Sequence, residues 1–200
     1  LELKEYDKAS NTLNLIGTAY HRTGDLEKSL DYYMQAIEQA EINGNPQCLS
    51  SPISNIGSLY SDMGDNEKAL EYDLRALSIA RGSDNLGGMA LAYNKLGTFY
   101  QETGHLDTAK LFYKEAMKLY EETRDNSGAA HVYNNMAIIY FMEGNTEESL
   151  IHFSMAMKMR LASGDMINYS QSLMNMGIYY QMLEEYDSAI YYADSSIEFN

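Results

Sequence analysis

The fold is decided by the stretch at residues 11–40, which reads NTLNLIGTAYHRTGDLEKSLDYYMQAIEQA. Its first half places apolar or small residues at i, i+3, i+4 and i+7, as one face of an amphipathic helix requires: Leu13, Ile16, Gly17 and Tyr20. Gly24 then suits a left-handed turn that ends this helix, and Asp25 suits the N-cap of the next. The second helix carries its own stripe, made of Ser29, Leu30, Tyr33, Ala36 and Ile37. The stretch therefore predicts a helical hairpin.

The same hairpin recurs along the chain at a spacing of 40 residues. Three columns mark it: Tyr20, Tyr60, Tyr100, Tyr140 and Tyr180; Gly24, Gly64, Gly104 and Gly144; and Ala36, Ala76, Ala116 and Ala156. A regular period of this length is typical of a solenoid, whose units bury their apolar faces by stacking on one another. The sequence therefore predicts an all-α solenoid of five helix-turn-helix repeats, with about ten antiparallel helices.

The phase of the repeat divides the chain into an N-terminal segment and five units. Residues 1–10 do not fit the phase, and we expect a helical extension or a partial repeat there. The five units are 11–44, 45–84, 85–124, 125–164 and 165–200. Glu184 stands where the other units have the turn glycine, so the fifth turn must be built differently or carry strain. Because Pro52 is tolerable only in the first turn of a helix, the second unit's first helix should begin near Ser50 or Ser51.

The composition is strongly acidic and limits the classes of partner. Asp and Glu number 29 against 14 Lys and Arg, and neither half of the chain is basic, so non-specific binding to nucleic acid or anionic lipid is disfavoured. Cys48 is the only cysteine, which excludes an intrachain disulfide. The chain begins at Leu1 and ends at Asn200 within a helical pattern, so we expect it to be part of a longer polypeptide.

The repeated columns resemble the tetratricopeptide repeat. The family's glycine, tyrosine, turn glycine, small residue, aromatic residue and alanine correspond here to Gly17, Tyr20, Gly24, Ser29, Tyr33 and Ala36. The 40-residue period is similar to the long-helix subclass found in kinesin light chains and in bacterial peptide-sensing or sensor-kinase-linked arrays. The resemblance implies a right-handed superhelix whose first helices line a concave groove for a protein or peptide. It also implies a sensory or interaction region of a larger bacterial signalling or transcription-regulatory protein, cytoplasmic or, alternatively, in a periplasmic sensor.

If the first helices line a groove, polar residues beside the packing stripe would face the ligand. These candidate groove residues are Asn14, Asn55, Asn94, Lys95, Asn134, Asn135 and Asn175. Asparagine has poor helix propensity, and its amide can bond the backbone of an extended peptide, so we interpret the set as an amide ladder. Hydrogen bonding between helices, or plain solvation, is the alternative. Asn55 and Lys95 fit two places of the two-carboxylate clamp found in the family's chaperone-tail readers. Leu15, Asn11 and Leu91 stand where its other residues are expected, so the clamp is incomplete.

The same face becomes apolar towards the C-terminus. A possible contact surface there comprises Ile138, Phe141, Met142, Met174, Ile178 and Met182. Such a patch usually meets something: an apolar part of a ligand, a second copy of the chain in a homodimer, or a following helix.

No constellation in the sequence predicts catalysis, a metal site or a cofactor. The four histidines lie on different helices or turns, none with a second His at ligand spacing, and Cys48 has no nearby His. We therefore expect a protein- or peptide-binding scaffold that is not an enzyme. The alternative is a structural module that self-associates and regulates an attached kinase, cyclase or DNA-binding domain.

Overall fold

The structure, a computed structural model, describes the backbone of residues 2–199 and the side chains of residues 8–199. The described residues form ten α-helices and no strand, which confirms the all-α repeat solenoid. The helices are α1 (Glu2–Arg22), α2 (Leu26–Ile42), α3 (Ser50–Asp62), α4 (Asn66–Gly82), α5 (Leu86–Glu102), α6 (Leu106–Thr123), α7 (Asn126–Met142), α8 (Thr146–Ser163), α9 (Met166–Met182) and α10 (Tyr186–Glu198).

Two compact units divide the chain, Leu1–Leu119 and Tyr120–Asn200. The core of the first unit comprises Tyr33, Ile37, Ile53, Ile56, Leu59, Ala76, Leu77, Ala92 and Leu96. In the second unit Ala137, Phe153, Met176 and Tyr179 pack together. The sequence's division into residues 1–10 and five repeats stays a proposal.

Glycine in the left-handed conformation closes the hairpins as predicted. Gly24 and Gly64 have φ angles of +82° and +78°, where a Cβ would be strained. The next residue caps the following helix: Asp25 Oδ1 accepts a hydrogen bond from Lys28 N, and Asp65 Oδ1 accepts one from Lys68 N, both at 3.2 Å.

The lysine of this turn also lies over the first helix's tyrosine. Lys28 Nζ is 5.1 Å from the centre of the Tyr20 ring, and Lys68 Nζ is 4.8 Å from that of Tyr60. Each ammonium is also close to the capping carboxylate, at 2.7 Å for Lys28 and Asp25. Each turn is therefore held by residues that are close neighbours in sequence.

The turns between repeats are left-handed too, which the sequence analysis missed. Gly44 and Gly164 have φ angles of +64° and +71°, while Asp84 and Arg124, at the same phase, have +51° and +56°. The residue that follows each of these turns caps the next helix: Asn85, Asp125 and Asp165 each accept a backbone N–H from its first turn. Asn45 instead caps a short 3₁₀ helix, Pro46–Cys48, which precedes α3 at Ser50.

The paired helices of a hairpin approach each other closely at small residues. A Cβ on Gly17 would lie 2.6 Å from Tyr33 Cδ1, and one on Gly97 would lie 2.5 Å from Tyr113 Cε1, so each ring packs directly on the glycine. Ser29 is fully buried, and its hydroxyl donates to the Gly17 carbonyl oxygen at 3.0 Å. These contacts fix where the second helix presents its aromatic side chain.

The fifth hairpin turn keeps the same geometry and carries strain. Glu184 has a φ angle of +61°, and Glu185 follows it as an N-cap whose side chain makes no capping hydrogen bond. A residue with a Cβ in this conformation costs roughly 1–2 kcal/mol.

Replacing Glu184 with glycine should stabilise the second unit. We expect Glu184→Gly to raise the free energy of unfolding by about 0.5–1 kcal/mol, because the relief of strain exceeds the entropy that glycine loses on folding. The matched control is Gly144→Ala, at the preceding turn with φ +76°, which should lower it by about 1 kcal/mol. Urea unfolding followed by circular dichroism measures both, and a loss of stability in Glu184→Gly would contradict this account of the turn.

Candidate functional site

The candidate groove residues of the first unit do not all behave alike. Asn55 Nδ2 donates to Asn14 Oδ1 at 2.9 Å, a hydrogen bond between α3 and α1. In this pair the amides bond each other across two helices, which is the alternative to binding a ligand that the sequence left open. Both side chains are half-buried, so the pair joins two successive first helices.

Asn94, by contrast, has an amide oxygen that is enclosed and unpaired. Within residues 8–199, neither Asn94 Oδ1 nor the equivalent Asn134 Oδ1 of the second unit has a hydrogen-bond partner. Leaving a buried acceptor unsatisfied costs about 1–3 kcal/mol. These two oxygens are therefore candidate groove positions whose hydrogen-bonding capacity the described residues leave unused.

A residue that the sequence analysis passed over marks the site. The core column that holds Tyr33, Tyr113 and Phe153 contains Asp73 in the second repeat, where it is only 4 % exposed. Among the described residues, Asp73 Oδ1 makes no hydrogen bond of normal geometry, and the buried hydroxyl of Ser54 is near enough to act on the pKa of the carboxyl. The signal was present in the sequence: a carboxylate interrupts an aromatic column at the 40-residue spacing.

A cavity opens where the missing ring would lie. In the third repeat the Tyr113 hydroxyl donates to Gln101 Oε1 at 2.8 Å and lies 3.3 Å from Thr98 Oγ1. Asp73 is too short to reach the corresponding positions in the second repeat, and a cavity of about 110 Å³ lies there. Its walls come from three helices: Gly57, Ser58, Ser61 and Asp62 of α3, Ala69 and Asp73 of α4, and Lys95, Thr98, Phe99 and Glu102 of α5.

Charged groups surround this cavity. Burial raises the pKa of Asp73 to about 7, and the positive charge of Lys95 and the neighbouring hydroxyl of Ser54 oppose the rise. At the rim, Asp62 Oδ2 lies 2.8 Å from His21 Nε2 of α1, an ion pair whenever the imidazole is protonated. Lys95 is thus the one predicted groove residue that the structure brings beside a buried carboxyl.

The second unit holds the remaining candidate groove residues and the apolar surface. Asn175 Oδ1 accepts a hydrogen bond from Gln171 Nε2 at 3.2 Å, and Asn135 is half-buried. Asn175 also lines a cavity of about 210 Å³ whose other walls are mainly apolar: Ile138, Phe141, Phe153, Ile178, Tyr179 and Met182. Four of the six predicted apolar residues therefore meet at one cavity.

The other two predicted apolar residues, Met142 and Met174, are exposed but do not line this cavity. Met174 lines a neighbouring cavity of about 340 Å³, together with Ile178, Gly177 and Ala193. The Phe141 and Tyr179 rings are 4.8 Å apart in an edge-on arrangement, which fixes one wall of the first cavity.

Residues 8–199 contain neither a group of metal ligands nor a membrane-spanning helix. No three His, Cys, Asp or Glu side chains there are grouped as metal ligands would be. In the part of the chain that the structure describes, no helix is both long enough and apolar enough to cross a membrane.

Family models of the tetratricopeptide repeat match this chain over residues 10–43, 48–122 and 128–200. No protein of curated description matches the sequence. Among solved structures, similarity extends to BtubC (BKLC) from P. vanneervenii, at 20 % identity and a TM-score of 0.75 over 97 % of this chain and 80 % of that one.

Two further solved structures are similar over most of this chain and part of their own. Aspartyl phosphate phosphatase F from Bacillus subtilis is 14 % identical with a TM-score of 0.69, over 96 % of this chain and 60 % of that protein. A signal transduction ATPase with numerous domains from Pyrococcus horikoshii, which carries a tetratricopeptide repeat sensor, is 18 % identical with a TM-score of 0.76, over 98 % and 30 %. At these identities the likeness concerns the fold.

The raised pKa of Asp73 predicts how stability depends on pH. The usual pKa of an aspartate is 3.8, so between about pH 4 and pH 7 the folded state holds a proton that the unfolded state has lost. The contribution of Asp73 is therefore complete below about pH 4 and is lost as pH rises through about 7, with a slope of at most about 1.4 kcal/mol per pH unit.

Urea unfolding between about pH 5 and pH 8 measures this contribution as the difference between wild type and Asp73→Asn, which cannot titrate. The variant's stability relative to wild type should increase from about pH 5 to about pH 7 and level off above that. Taking the difference cancels the other carboxylates. Parallel curves for the two proteins would show that Asp73 titrates normally.

Proposed function

Because the chain belongs to the tetratricopeptide repeat family, we propose that it binds a protein or peptide through the polar faces of its first helices, without catalysing a reaction. The cavity at Asp73 carries the proposal, because Lys95, Thr98 and Glu102 of one first helix and Ser58 and Ser61 of another surround it with hydrogen-bonding groups. Ligand sites combine a concave surface with a few such convergent polar groups.

The amides of the first helices suit the backbone of such a partner. Asn94 and Asn134 each carry an enclosed, unpaired amide oxygen on a first helix, and an amide can satisfy peptide N–H and C=O groups whatever the partner's sequence. The acidic character of the chain, with a formal net charge of −15, favours a partner that is basic or neutral.

The wider setting that we propose is the sensory or interaction region of a larger bacterial signalling or transcription-regulatory protein in the cytoplasm. A tetratricopeptide repeat sensor occurs in the similar signal transduction ATPase, of which this chain covers 30 %. Binding to several first helices would alter the packing between repeats, which an attached output domain could sense.

A second function is favoured by the apolar cavity of the second unit. Ile178 and Met182, which line it, are 52 % and 62 % exposed, and patches of this kind mark contact surfaces. In this alternative the C-terminal repeats self-associate as a homodimer and regulate an attached kinase, cyclase or DNA-binding domain.

Peptide selection tests the first function. Clones selected from a random phage-displayed library should bind Asn94→Ala or Asn134→Ala about fivefold more weakly, the effect of one lost hydrogen bond, while the melting temperature does not fall, because the change removes an unpaired buried oxygen. The matched control is Asn66→Ala, an exposed asparagine at the start of α4. Failure to enrich any clone, or clones indifferent to both first-helix changes, would contradict the proposal.

Sedimentation tests the second function. If the C-terminal repeats form a dimer, Ile178→Glu should weaken its association at least about tenfold, because a carboxylate would be buried without a partner. Ile167→Glu, on the same helix at a position 79 % exposed and outside the cavity, should leave association unchanged. A monomer at high micromolar concentration would exclude this function.

A further inference from the structure

We propose that the cavity at Asp73 is a pocket for a single basic side chain of the partner, and that arginine fits it best. The proposal rests on the proposed function, binding of a protein or peptide through the first helices. It adds a chemical requirement that neither the amides nor the acidic composition specifies.

The shape of the pocket follows from the missing ring. In the first and third repeats a tyrosine ring fills this space, and its hydroxyl oxygen lies 3.3 Å from a threonine, Thr18 or Thr98. The second repeat has Ser58 at the threonine position and only a carboxyl at the ring position. A cavity of about 150 Å³ accommodates benzene, so the volume of about 110 Å³ here suits a planar group of a few heavy atoms.

The charge of the pocket selects a cation. Three carboxyl groups line it, those of Asp62, Asp73 and Glu102, against the single ammonium group of Lys95. Of these, Asp62 already contacts His21 at 2.8 Å. Because burial raises the pKa of Asp73 to about 7, an incoming cation would favour its ionised form and offset its charge, whereas an anion would oppose ionisation.

The unpaired oxygen of Asp73 favours a ligand group that donates a hydrogen bond and also carries a positive charge. Asp73 is 4 % exposed, lines the cavity, and has no partner for Oδ1 within the described residues. An aromatic ring from a partner would fill the space but leave this oxygen unsatisfied, which is costly in a buried site. A donor that carries positive charge forms the stronger type of hydrogen bond with a carboxylate.

A guanidinium group meets these conditions together. It is planar, always charged, and carries several N–H groups that can donate to the Asp73 carboxyl. It also stacks on aromatic rings, and Phe99 supplies a half-buried ring in the pocket wall. The hydroxyls of Ser61 and Thr98 line the same wall and can accept the remaining N–H groups.

The test uses two probes of nearly the same shape. N-acetyl-arginine amide carries the guanidinium, and N-acetyl-citrulline amide replaces it with a neutral urea group. In NMR titrations of the ¹⁵N-labelled protein, the arginine probe should give saturable shifts around Asp73 with a dissociation constant of the order of millimolar, and the citrulline probe should bind at least about tenfold more weakly.

Variants show whether the arginine probe enters this cavity. Asp73→Tyr restores the ring of the sister repeats and should abolish binding, and Asp73→Asn, which keeps the shape, should weaken it at least about tenfold. The matched control is Asp107→Asn, a carboxylate on α6 whose side chain is 97 % exposed, which should bind as wild type does. Equal binding of the two probes, unchanged binding by Asp73→Asn, or no saturable shift near Asp73 would overturn the proposal.

Peptide selection separates failure of this pocket from failure of the proposed function. Selected clones that bind through Asn94 or Asn134 but are indifferent to Asp73→Asn would leave peptide binding intact and remove the arginine pocket. Saturable binding of the arginine probe at Asp73 with no enriched peptide would leave the arginine pocket intact and contradict the proposed peptide binding.

Discussion

The close approach of the two helices within a hairpin is the constraint on which the rest of the structure depends. A glycine on the first helix lets an aromatic ring of the second pack directly on the backbone, as Tyr33 does on Gly17 and Tyr113 on Gly97. Ser29, on the same helix face as Tyr33, donates its hydroxyl to the carbonyl oxygen of Gly17. Dense packing of this kind leaves little room for the side chains beside the ring to change direction.

The same close approach of the helices explains why a cavity forms where Asp73 stands in the aromatic column. Because the backbone around Gly57 keeps the close-packed geometry, the space for a ring persists when the ring is replaced by Asp73. In a core that could relax, the neighbouring helices would move inward and the carboxyl would find water or a partner. Here the carboxyl stays buried, with its pKa raised to about 7, beside a cavity that opens between first helices.

Much of the fold could be predicted from the sequence, because the decisive residues have only one local role. Gly24 and its equivalents occur at left-handed turns, Asp25 at a cap, and the start of α3 at Ser50 follows from Pro52. The left-handed Arg124 escaped prediction because arginine does not signal that conformation, and Asp84 escaped because aspartate signals it much more weakly than glycine does. Gly44 and Gly164 stand at the same phase.

The candidate site could be predicted only in part. The helical phase indicated which residues lie on the first helices, but side-chain rotamers decide which amides bond one another. The sequence therefore could not show that Asn55 and Asn14 bond each other and do not both leave their amides available to a ligand. Asp73 was visible as an exception in its column, but its meaning depends on the space around it, which only packing of three helices reveals.

The hairpin turns have a consequence for how such an array changes in size. The first turn is closed by Tyr20, Gly24, Asp25 and Lys28, and the second by the equivalent Tyr60, Gly64, Asp65 and Lys68, so each is complete within nine consecutive residues. A duplicated segment brings its own turn with it and demands nothing new from the rest of the chain. Gene duplication or deletion in steps of 40 residues would therefore lengthen or shorten the array without a redesign of its corners.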